Sequence, residues 1–76
     1  MTIDMLKNGD SAIITALNVD KQLKDRFFSF GFLKSKKIKK IESSLKGSTI
    51  LIELDKGCII LRAEEAKGIE VEKIND

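Results

Sequence analysis

The sequence predicts a mainly β fold, a small five-stranded barrel with one helix inserted after its first strand. Two observations support this prediction. Short stretches rich in isoleucine, valine and threonine recur along the 76-residue chain and are separated by turn residues. Apolar side chains at helical spacing stand out in one stretch, residues 20–31. A sheet that closes on itself would also leave no edge strand exposed.

The composition is that of a single domain spanning residues 1–76. Hydrophobic residues make up 42% and charged residues 34%, and no apolar run approaches the roughly 20 residues of a membrane span, so we expect no insertion into a membrane. The first ten residues contain Asp4 and Asp10 and no apolar signal core, which argues against export. Cys58 is the one cysteine and cannot form an internal disulfide, which fits a reducing compartment. We therefore expect a cytoplasmic protein.

The first strand is predicted at residues 11–17 (SAIITAL), directly after a turn at residues 7–10. The turn sequence KNGD contains the asparagine and glycine that favour tight turns. Side chains alternate between the two faces of a strand, so Ala12, Ile14 and Ala16 would share the inner face.

A helix is predicted next. Asp20 can cap its first turn, because a carboxylate accepts hydrogen bonds from backbone N–H groups that have no partner within the helix. Leu23, Phe27 and Phe30 recur at positions i, i+4 and i+7 and would form one buried stripe.

Gly31 is predicted to end this helix, since glycine adopts the left-handed C′ conformation without steric cost. Phe32 would then be the C″ residue. In a Schellman ending, C″ commonly contacts C3, which is Phe27 here.

The fragment FSFGF, residues 28–32, also matches the aromatic–glycine–aromatic core of a ribonucleoprotein strand. On a strand, Phe28, Phe30 and Phe32 would share one face and could stack on bases. The capping aspartate and the helical stripe ahead of the rings favour the helix. In the helix, Phe28 lies off the stripe and is the ring with the greatest expected exposure.

Four further strands follow the helix, at residues 36–44, 49–54, 58–62 and 69–74. In the stretch 49–54 the pattern alternates, with Ile50, Ile52 and Leu54 facing inward and Thr49, Leu51 and Glu53 facing outward. Residues 44–49 form a turn, and residues 55–57 form a tight hairpin turn in which Gly57 is available for a positive φ.

The last part of the chain combines one helical turn and a strand. Residues 63–68 (AEEAKG) are too few for more than a single helical turn. In the closing strand, Ile69 and Val71 would face inward while Glu70 and Glu72 face outward.

The charges balance overall but are unevenly placed. The net charge is +2, which is weak for a nucleic-acid-binding domain. A basic group lies in mid-chain, comprising Lys34, Lys36, Lys37, Lys39 and Lys40, and an acidic group lies near the end, comprising Glu64, Glu65, Glu70, Glu72 and Asp76. The lysines are interpreted as solvated residues that discourage pairing at a sheet edge. They are alternatively a surface for an acidic partner or for phosphate.

The residue types exclude most catalytic and metal chemistry, so we expect no enzyme, no cofactor and no metal site. The chain has no histidine and no tyrosine, and therefore no imidazole to activate a nucleophile. Cys58 starts the apolar run CIIL and is expected in the core. One cysteine cannot supply a zinc site, and the acidic pairs lack the spacing of a metal-binding loop. The five glycines are isolated and form no phosphate loop.

The ordered pattern of the chain resembles the FeoA family, small cytoplasmic proteins of bacterial ferrous iron uptake. Two fragments carry the resemblance, RFFSFGF at residues 26–32 and IILRAEEAKGIEV at residues 59–71, and the match covers nearly the whole chain. The resemblance implies an SH3-like barrel with a helix after the first strand. It also implies an accessory or regulatory role beside FeoB, a membrane permease with a cytoplasmic GTPase domain.

Three positions depart from the family pattern. Ser35 occupies the place of a glycine, Ser48-Thr49 the place of a proline after the Gly47 turn, and Lys40 the place of an apolar strand residue. The stem of a lysine can cover apolar surface while its ammonium group reaches water, so we expect Lys40 to be tolerated.

The predicted contact surface for the FeoB-type transporter joins the helix end with nearby lysines. It consists of Arg26, Phe28, Phe32, Lys34, Lys36 and Lys37. Arg26 is alternatively a structural residue paired with a carboxylate. The rival hypothesis is a small nucleic-acid-binding barrel that uses Phe28 and the lysines of residues 34–40, and a third is the buffering of ferrous ion by carboxylates.

Overall fold

Five antiparallel strands and two helices make up the fold in a computed structural model that describes residues 1–55 and 57–75. The strands are β1 (Ser11–Leu17), β2 (Lys37–Ser43), β3 (Thr49–Leu54), β4 (Gly57–Arg62) and β5 (Ile69–Ile74). The helices are α1 (Lys21–Ser29) and α2 (Ala63–Ala66), and a short 3-10 helix (Ile3–Met5) precedes β1. Lys56 of the predicted hairpin turn and Asp76 of the acidic group lie outside the described residues.

The strands form one sheet in the order β4-β3-β2-β1-β5. The predicted mainly β architecture, with a helix after the first strand, is confirmed. The predicted closure into a barrel is wrong, because β4 and β5 form the two edges of the sheet and are not neighbours in it. The space between the edges is filled instead: α2 packs against β3, β4 and the 3-10 helix, and the 3-10 helix packs against β5.

Two irregularities bend the sheet around the core. The register shifts between Ile14 and Ala16 in β1 and between Lys40 and Glu42 in β2. A bulge of this kind increases the local twist and curvature of a strand. The sheet therefore curls toward a barrel without closing.

The core consists of the inward side chains of the strands together with residues from the helices and the N-terminal segment. Its fully buried large side chains are Phe32, Ile3, Ile14, Ile38, Ile52, Leu61 and Ile69. The inward faces predicted for residues 49–54 and 69–74 are confirmed, with Ile50, Ile52 and Val71 all buried. Gly57 does not take the left-handed conformation allowed for it, and instead begins β4.

Helix α1 begins and ends at the predicted signals. The Asp20 carboxylate accepts a hydrogen bond of 2.8 Å from the Leu23 N–H. Gly31 has a φ of +77°, and the N–H groups of Gly31 and Phe32 donate to the carbonyls of Phe28 and Phe27, both at 3.0 Å. These two bonds are those of a Schellman ending.

The aromatic contact predicted for this ending is also present. The rings of Phe27 and Phe32 stack with centroids 5.2 Å apart and an interplanar angle of 29°. Phe27 and Phe32 are buried, and Leu23 packs against the core. Phe30, however, is 53% exposed, so its predicted place on the buried stripe is wrong. The helix ends at Ser29, and Phe30 is its C-cap with φ −95° and ψ 2°, so the 3.6-residue spacing no longer applies to its side chain.

The lysines of β2 do not protect a sheet edge, because β2 pairs with both β1 and β3. Lys39 is exposed, whereas Lys40 is buried with 6% exposure. The Lys40 ammonium group donates a hydrogen bond of 2.5 Å to the carbonyl of Leu6. The expectation that it reaches water is therefore wrong, and the lysine ties the chain after the 3-10 helix to the inner face of β2.

Asp10, just before β1, provides a pH-dependent contribution to stability. Its carboxylate accepts a 2.8 Å hydrogen bond from the Lys7 N–H, and Lys73 of β5 lies 3.5 Å away. The Lys7 hydrogen bond, aided by the Lys73 charge and opposed by partial burial, lowers the pKa of Asp10 below its ordinary value of 3.8. A carboxyl group whose pKa is lower in the folded chain stabilises the fold above its unfolded pKa.

We therefore expect Asp10→Asn to be less stable than the wild type at pH 7, by an amount that disappears as the pH falls through the lowered pKa of Asp10. The asparagine keeps an acceptor for the Lys7 N–H but loses the charge that faces Lys73. Urea unfolding at a series of pH values measures the difference in free energy of unfolding. A difference that stays constant down to pH values below 3.8 would contradict the linkage.

Candidate partner-binding surface

Four phenylalanines occur within six residues, and the structure divides them into two pairs. Phe27 and Phe32 are 3% and 0% exposed, whereas Phe28 and Phe30 are 59% and 53% exposed. Exposed aromatic rings of this size are costly in water, and rings are enriched at the centres of protein interfaces. The exposed pair therefore marks the end of α1 as a candidate contact surface.

Phe28 lines an open groove of about 550 Å³ between α1 and the end of β1. We call it the α1–β1 groove. Its lining residues are Thr15, Ala16, Leu17 and Asn18 after the β1 bulge, Lys24 and Phe28 of α1, and Leu33 and Lys34 of the following loop. The apolar side chains are those of Ala16, Leu17, Phe28 and Leu33, so the groove offers an apolar floor.

Basic residues border this groove. Lys24 and Lys34 are exposed and form no ion pair with any residue in the ranges 1–55 and 57–75. Lys24 lies on the same face of α1 as Phe28 because the two residues are four apart, about one helical turn. The groove thus combines an apolar ring with two positive charges.

Phe30 lines a second, smaller cleft of about 190 Å³, bordered by Gly31, Lys36, Lys37, Leu54 and Asp55. We call it the Phe30 cleft. The Lys36 ammonium group lies 3.8 Å from the Asp55 carboxylate, so part of the positive charge here is neutralised within the chain. The α1–β1 groove is the more basic and the larger of the two sites.

The structure does not bring all the predicted contact residues together. Phe28 and Lys34 share the α1–β1 groove, whereas Lys36 and Lys37 line the Phe30 cleft. Phe32 is fully buried, so its place on a contact surface is wrong: as the C″ residue it turns back onto Phe27. A base-stacking face of Phe28, Phe30 and Phe32 is excluded for the same reason.

Arg26 lies on another side of α1, in a depression with Asp20, Gln22, Leu23 and Glu65. Residues two apart on a helix point about 200° apart, so Arg26 and Phe28 face nearly opposite directions. The Arg26 guanidinium group forms no ion pair with a carboxylate in the described parts of the chain. Neither reading of Arg26, as a contact residue beside Phe28 or as a paired structural arginine, gains support from its position.

The loop that carries Leu33 and Lys34 is held by a strained backbone. Ser35 has a φ of +78°, and among the described residues it is the one non-glycine with a positive φ. Its N–H donates a 2.7 Å hydrogen bond to the carbonyl of Ile14, which fixes the loop to β1. A side chain in the left-handed region costs about 1–2 kcal/mol, and glycine avoids that cost.

We expect Ser35→Gly to raise the free energy of unfolding by about 0.5–1 kcal/mol, since relief of the strain exceeds the extra backbone entropy of glycine. A change of this size would raise the melting temperature by about 2–8 °C, measured by circular dichroism. The matched control is Ser43→Gly in β2, where the backbone is extended and the same change should destabilise. Equal effects of the two substitutions would contradict the strain at Ser35.

Cys58 is exposed, so its predicted place in the core is wrong. It lies opposite Glu53 in the β3–β4 pairing, and both side chains are exposed on the outer face of the sheet. Within residues 1–55 and 57–75 the structure contains no cluster of three or more cysteine and acidic side chains that could hold a metal ion. No helix of the described chain is both long and apolar enough to cross a membrane.

The amino-acid sequence is similar to those of known proteins. A family model described as the FeoA domain matches residues 1–73. A candidate Fe(2+) transport protein A of Campylobacter jejuni is 58% identical over 74 residues, which cover 97% of this chain and 100% of that protein.

Solved structures of FeoA proteins have the same fold as this chain. A FeoA protein from Chlorobium tepidum superposes with a TM-score of 0.94 at 25% identity, covering 99% of this chain and 71% of that one. FeoA of Stenotrophomonas maltophilia, solved in complex with zinc and described as a procaryotic SH3 domain protein, has a TM-score of 0.77 at 24% identity, covering 95% and 89%. At 24% identity, the similarity to the Stenotrophomonas maltophilia protein is evidence about the fold alone. It confirms the expected SH3-like architecture.

Proposed function

Because this chain belongs to the FeoA family, whose members are associated with ferrous iron transport, we propose that it acts by binding the cytoplasmic part of a FeoB-type membrane transporter and so regulates ferrous iron uptake. The single observation that carries the proposal is the α1–β1 groove. In it an exposed phenylalanine, an apolar floor and two lysines that form no ion pair with any described residue lie together on one side of the molecule.

The chemistry of the groove suggests what the partner presents. An apolar side chain of the transporter would bury Phe28 and Leu33, since removing apolar surface from water is favourable by about 25 cal/mol per Å². Acidic residues on either side of that anchor would face Lys24 and Lys34. Complementary charges raise the rate of association and select the partner. We therefore expect the transporter to contribute a short acidic segment with an apolar residue at its centre.

The scaffold is suited to contact rather than to chemistry. Each edge of the groove belongs to a fixed element: α1 is held at its first turn by Asp20, and the loop after it is held to β1 through the Ser35 N–H. A binding site fixed in this way loses little conformational entropy on association.

The decisive experiment is a titration of the full chain against the purified cytoplasmic part of the transporter, without nucleotide and with guanosine di- and triphosphate analogues. We expect saturable binding in at least one nucleotide state. Ferrous uptake in a strain that lacks this chain tests the cellular role. No binding in any nucleotide state, together with unchanged uptake in the deletion strain, would refute the proposal.

The nucleic-acid alternative is tested with the same protein. A single-stranded oligonucleotide titrated at low salt should give no binding. Affinity that falls with salt, by about 0.7–0.9 log units per phosphate neutralised for each tenfold rise in salt, would favour the alternative.

A further inference from the structure

The second half of β1 has a neighbouring strand on one side only, among the described residues. Its pairing with β2 ends at Ile13, although β1 continues to Leu17 and remains paired with β5. Ile14 still exchanges hydrogen bonds with residues 35 and 36, through its carbonyl at 2.7 Å and its N–H at 3.0 Å. Beyond that point, residues 15–17 form a short free edge in the interior of the strand order.

The loop before β2 leaves this short edge open. A turn closed by the Lys36 N–H, which donates a 3.2 Å hydrogen bond to the Leu33 carbonyl, turns the chain away from β1. The space beside residues 15–17 is the α1–β1 groove, about 550 Å³ in volume and open to solvent. No strand of the chain, as described over residues 1–55 and 57–75, occupies it.

The hydrogen bonds to the chain before β5 show which backbone groups point into the groove. The Asn18 N–H donates a 2.6 Å hydrogen bond to the Gly68 carbonyl, so Asn18 directs its backbone toward β5. Because these groups alternate along a strand, Leu17, which lies opposite Ile69, directs its N–H and carbonyl away from β5. Neither of these Leu17 groups forms a hydrogen bond within the described residues.

The bulge in β1 determines that Leu17 has this role. Thr15 has no partner in β5, because the register shifts between Ile14 and Ala16. Uninterrupted alternation from Ile14 would direct the backbone groups of Ala16 into the groove, and the extra residue transfers this role to Leu17. The side chain of Leu17 packs against the core, so it lies on the inner face of the sheet.

We propose that the partner segment binds in the α1–β1 groove as an extended strand, which pairs with Leu17 and continues the line of β2. This inference rests on the proposed function and specifies how the same site is occupied. One residue of the segment accepts a hydrogen bond from the Leu17 N–H and donates its own N–H to the Leu17 carbonyl, as in an antiparallel pair. In strand addition of this kind, main-chain bonds give affinity and the pockets for alternate side chains give specificity.

This pairing also sets the position of the apolar residue at the centre of the segment. Residues directly opposite each other in a sheet point to the same face, so the side chain opposite Leu17 lies on the inner face. Helix α1 covers that face, since Leu23 and Phe27 pack in the core. The central apolar side chain therefore lies against Phe28 and Leu33, the apolar residues that α1 and the following loop contribute to the groove.

Charge complementarity identifies the segment as acidic. Lys24 and Lys34 border the groove, are exposed and form no ion pair with any residue that the structure describes. Carboxylates that flank the central residue would face these two ammonium groups. Exposed ion pairs add little affinity, so the lysines select the segment, whereas the Leu17 backbone and the apolar contact hold it.

Amide hydrogen exchange, measured by NMR on the full chain, tests the pairing directly. The chain is labelled with nitrogen-15 and saturated with the purified cytoplasmic part of the transporter. We expect exchange of the Leu17 N–H to be fast in the free chain and slower by about tenfold or more in the complex, because the N–H gains an acceptor. The Gln22 N–H is the control: it lies in the first turn of α1, has no acceptor within the helix and should exchange equally in both states.

A second experiment removes the Leu17 N–H and keeps the side chain. Leucic acid in place of Leu17, introduced by chemical synthesis of the 76-residue chain, replaces this N–H by an ester oxygen. The fold should be retained, since the N–H has no partner among the described residues, and circular dichroism checks this. Binding to the transporter's cytoplasmic part should weaken by about 3- to 10-fold, the effect of one hydrogen bond. The matched control is the 2-hydroxy analogue of glutamine at Gln22, which should bind as the wild type does.

The outcomes separate this inference from the proposed function. Binding that leaves exchange of the Leu17 N–H unchanged would overturn the strand pairing and leave the proposed function in place. That result is expected if a helical segment contacts Phe28 instead. A Leu17 ester that binds as tightly as the wild type would overturn the pairing as well. No binding of the wild-type chain in any nucleotide state would refute the proposed function and the pairing together.

Discussion

Phe32→Ala should lower the free energy of unfolding by about 3–5 kcal/mol, the range measured for removing a large aromatic side chain from a core. Phe32 is 0% exposed and stacks on Phe27 at a centroid distance of 5.2 Å. Its removal leaves a cavity at the junction of α1 and the sheet, and the Schellman ending limits how far the chain can collapse into it. A domain of this size has a total stability of only about 4–11 kcal/mol, so the variant should be close to unfolding at physiological temperature.

Urea unfolding followed by far-ultraviolet circular dichroism measures this loss, because the chain contains neither tryptophan nor tyrosine as a fluorescent probe. Phe28→Ala is the matched control. It removes the same ring from a site that is 59% exposed, and should change stability by less than about 0.5 kcal/mol. Equal losses for the two variants would show that the division of the rings into buried and exposed pairs is wrong.

Phe28→Glu should weaken binding to the transporter's cytoplasmic part by about 30-fold or more, the effect of losing a central aromatic anchor. The substitution removes the ring from the α1–β1 groove and places a carboxylate one helical turn from Lys24, where it competes with the acidic residues expected on the partner. The fold should be unaffected because the side chain is exposed.

Calorimetric titration gives the affinity, and Gln22→Glu provides the control. It adds the same charge to α1, but in the depression that holds Arg26 and Glu65, away from the groove. We expect it to bind as the wild type does. If Phe28→Glu binds as tightly as the wild type, the groove is not the contact site. A parallel Phe30→Glu variant tells whether the Phe30 cleft takes part.

Local patterns in the sequence are sufficient to predict most of the elements. The alternation of Ile50 and Ile52 places β3 and its inner face, and Asp20 and Gly31 place the two ends of α1. Each of these signals acts through the backbone or the nearest neighbours of the residue. Closure of the sheet is not a local property: it depends on how α2 and the 3-10 helix fill the space between the edges.

The errors at individual residues have physical causes as well. In the run CIIL every residue is apolar, so the run does not indicate which face Cys58 lies on. The observed β3–β4 register does, because it pairs Leu54 with Gly57 and therefore Glu53 with Cys58. Glu53 was expected to face outward, and the same face follows for Cys58. Lys40 was misjudged because its acceptor, the Leu6 carbonyl, is 34 residues away in the chain.

The candidate site could be predicted only in part. Phe28 was identified because it lies off the helical stripe, and Lys34 because it follows in the basic group. Lys24 was missed although its spacing of four residues from Phe28 gives the signal. Leu33 and Leu17 were missed because the groove forms only when the loop after α1 is held against β1.

The position of β1 in the sheet has a consequence for how the chain folds. β1 is the first strand to be synthesised, yet one of its two neighbours is β5, the last strand of the fold, with Ser11 opposite Ile74. Pairing across so long a stretch of chain must overcome a large loop-closure entropy, which makes folding slow compared with that of helical proteins. During translation, β1, α1 and β2 would emerge from the ribosome with one side of β1 still unpaired. The domain would complete its core only in a single late step, when β5 reaches its place beside β1.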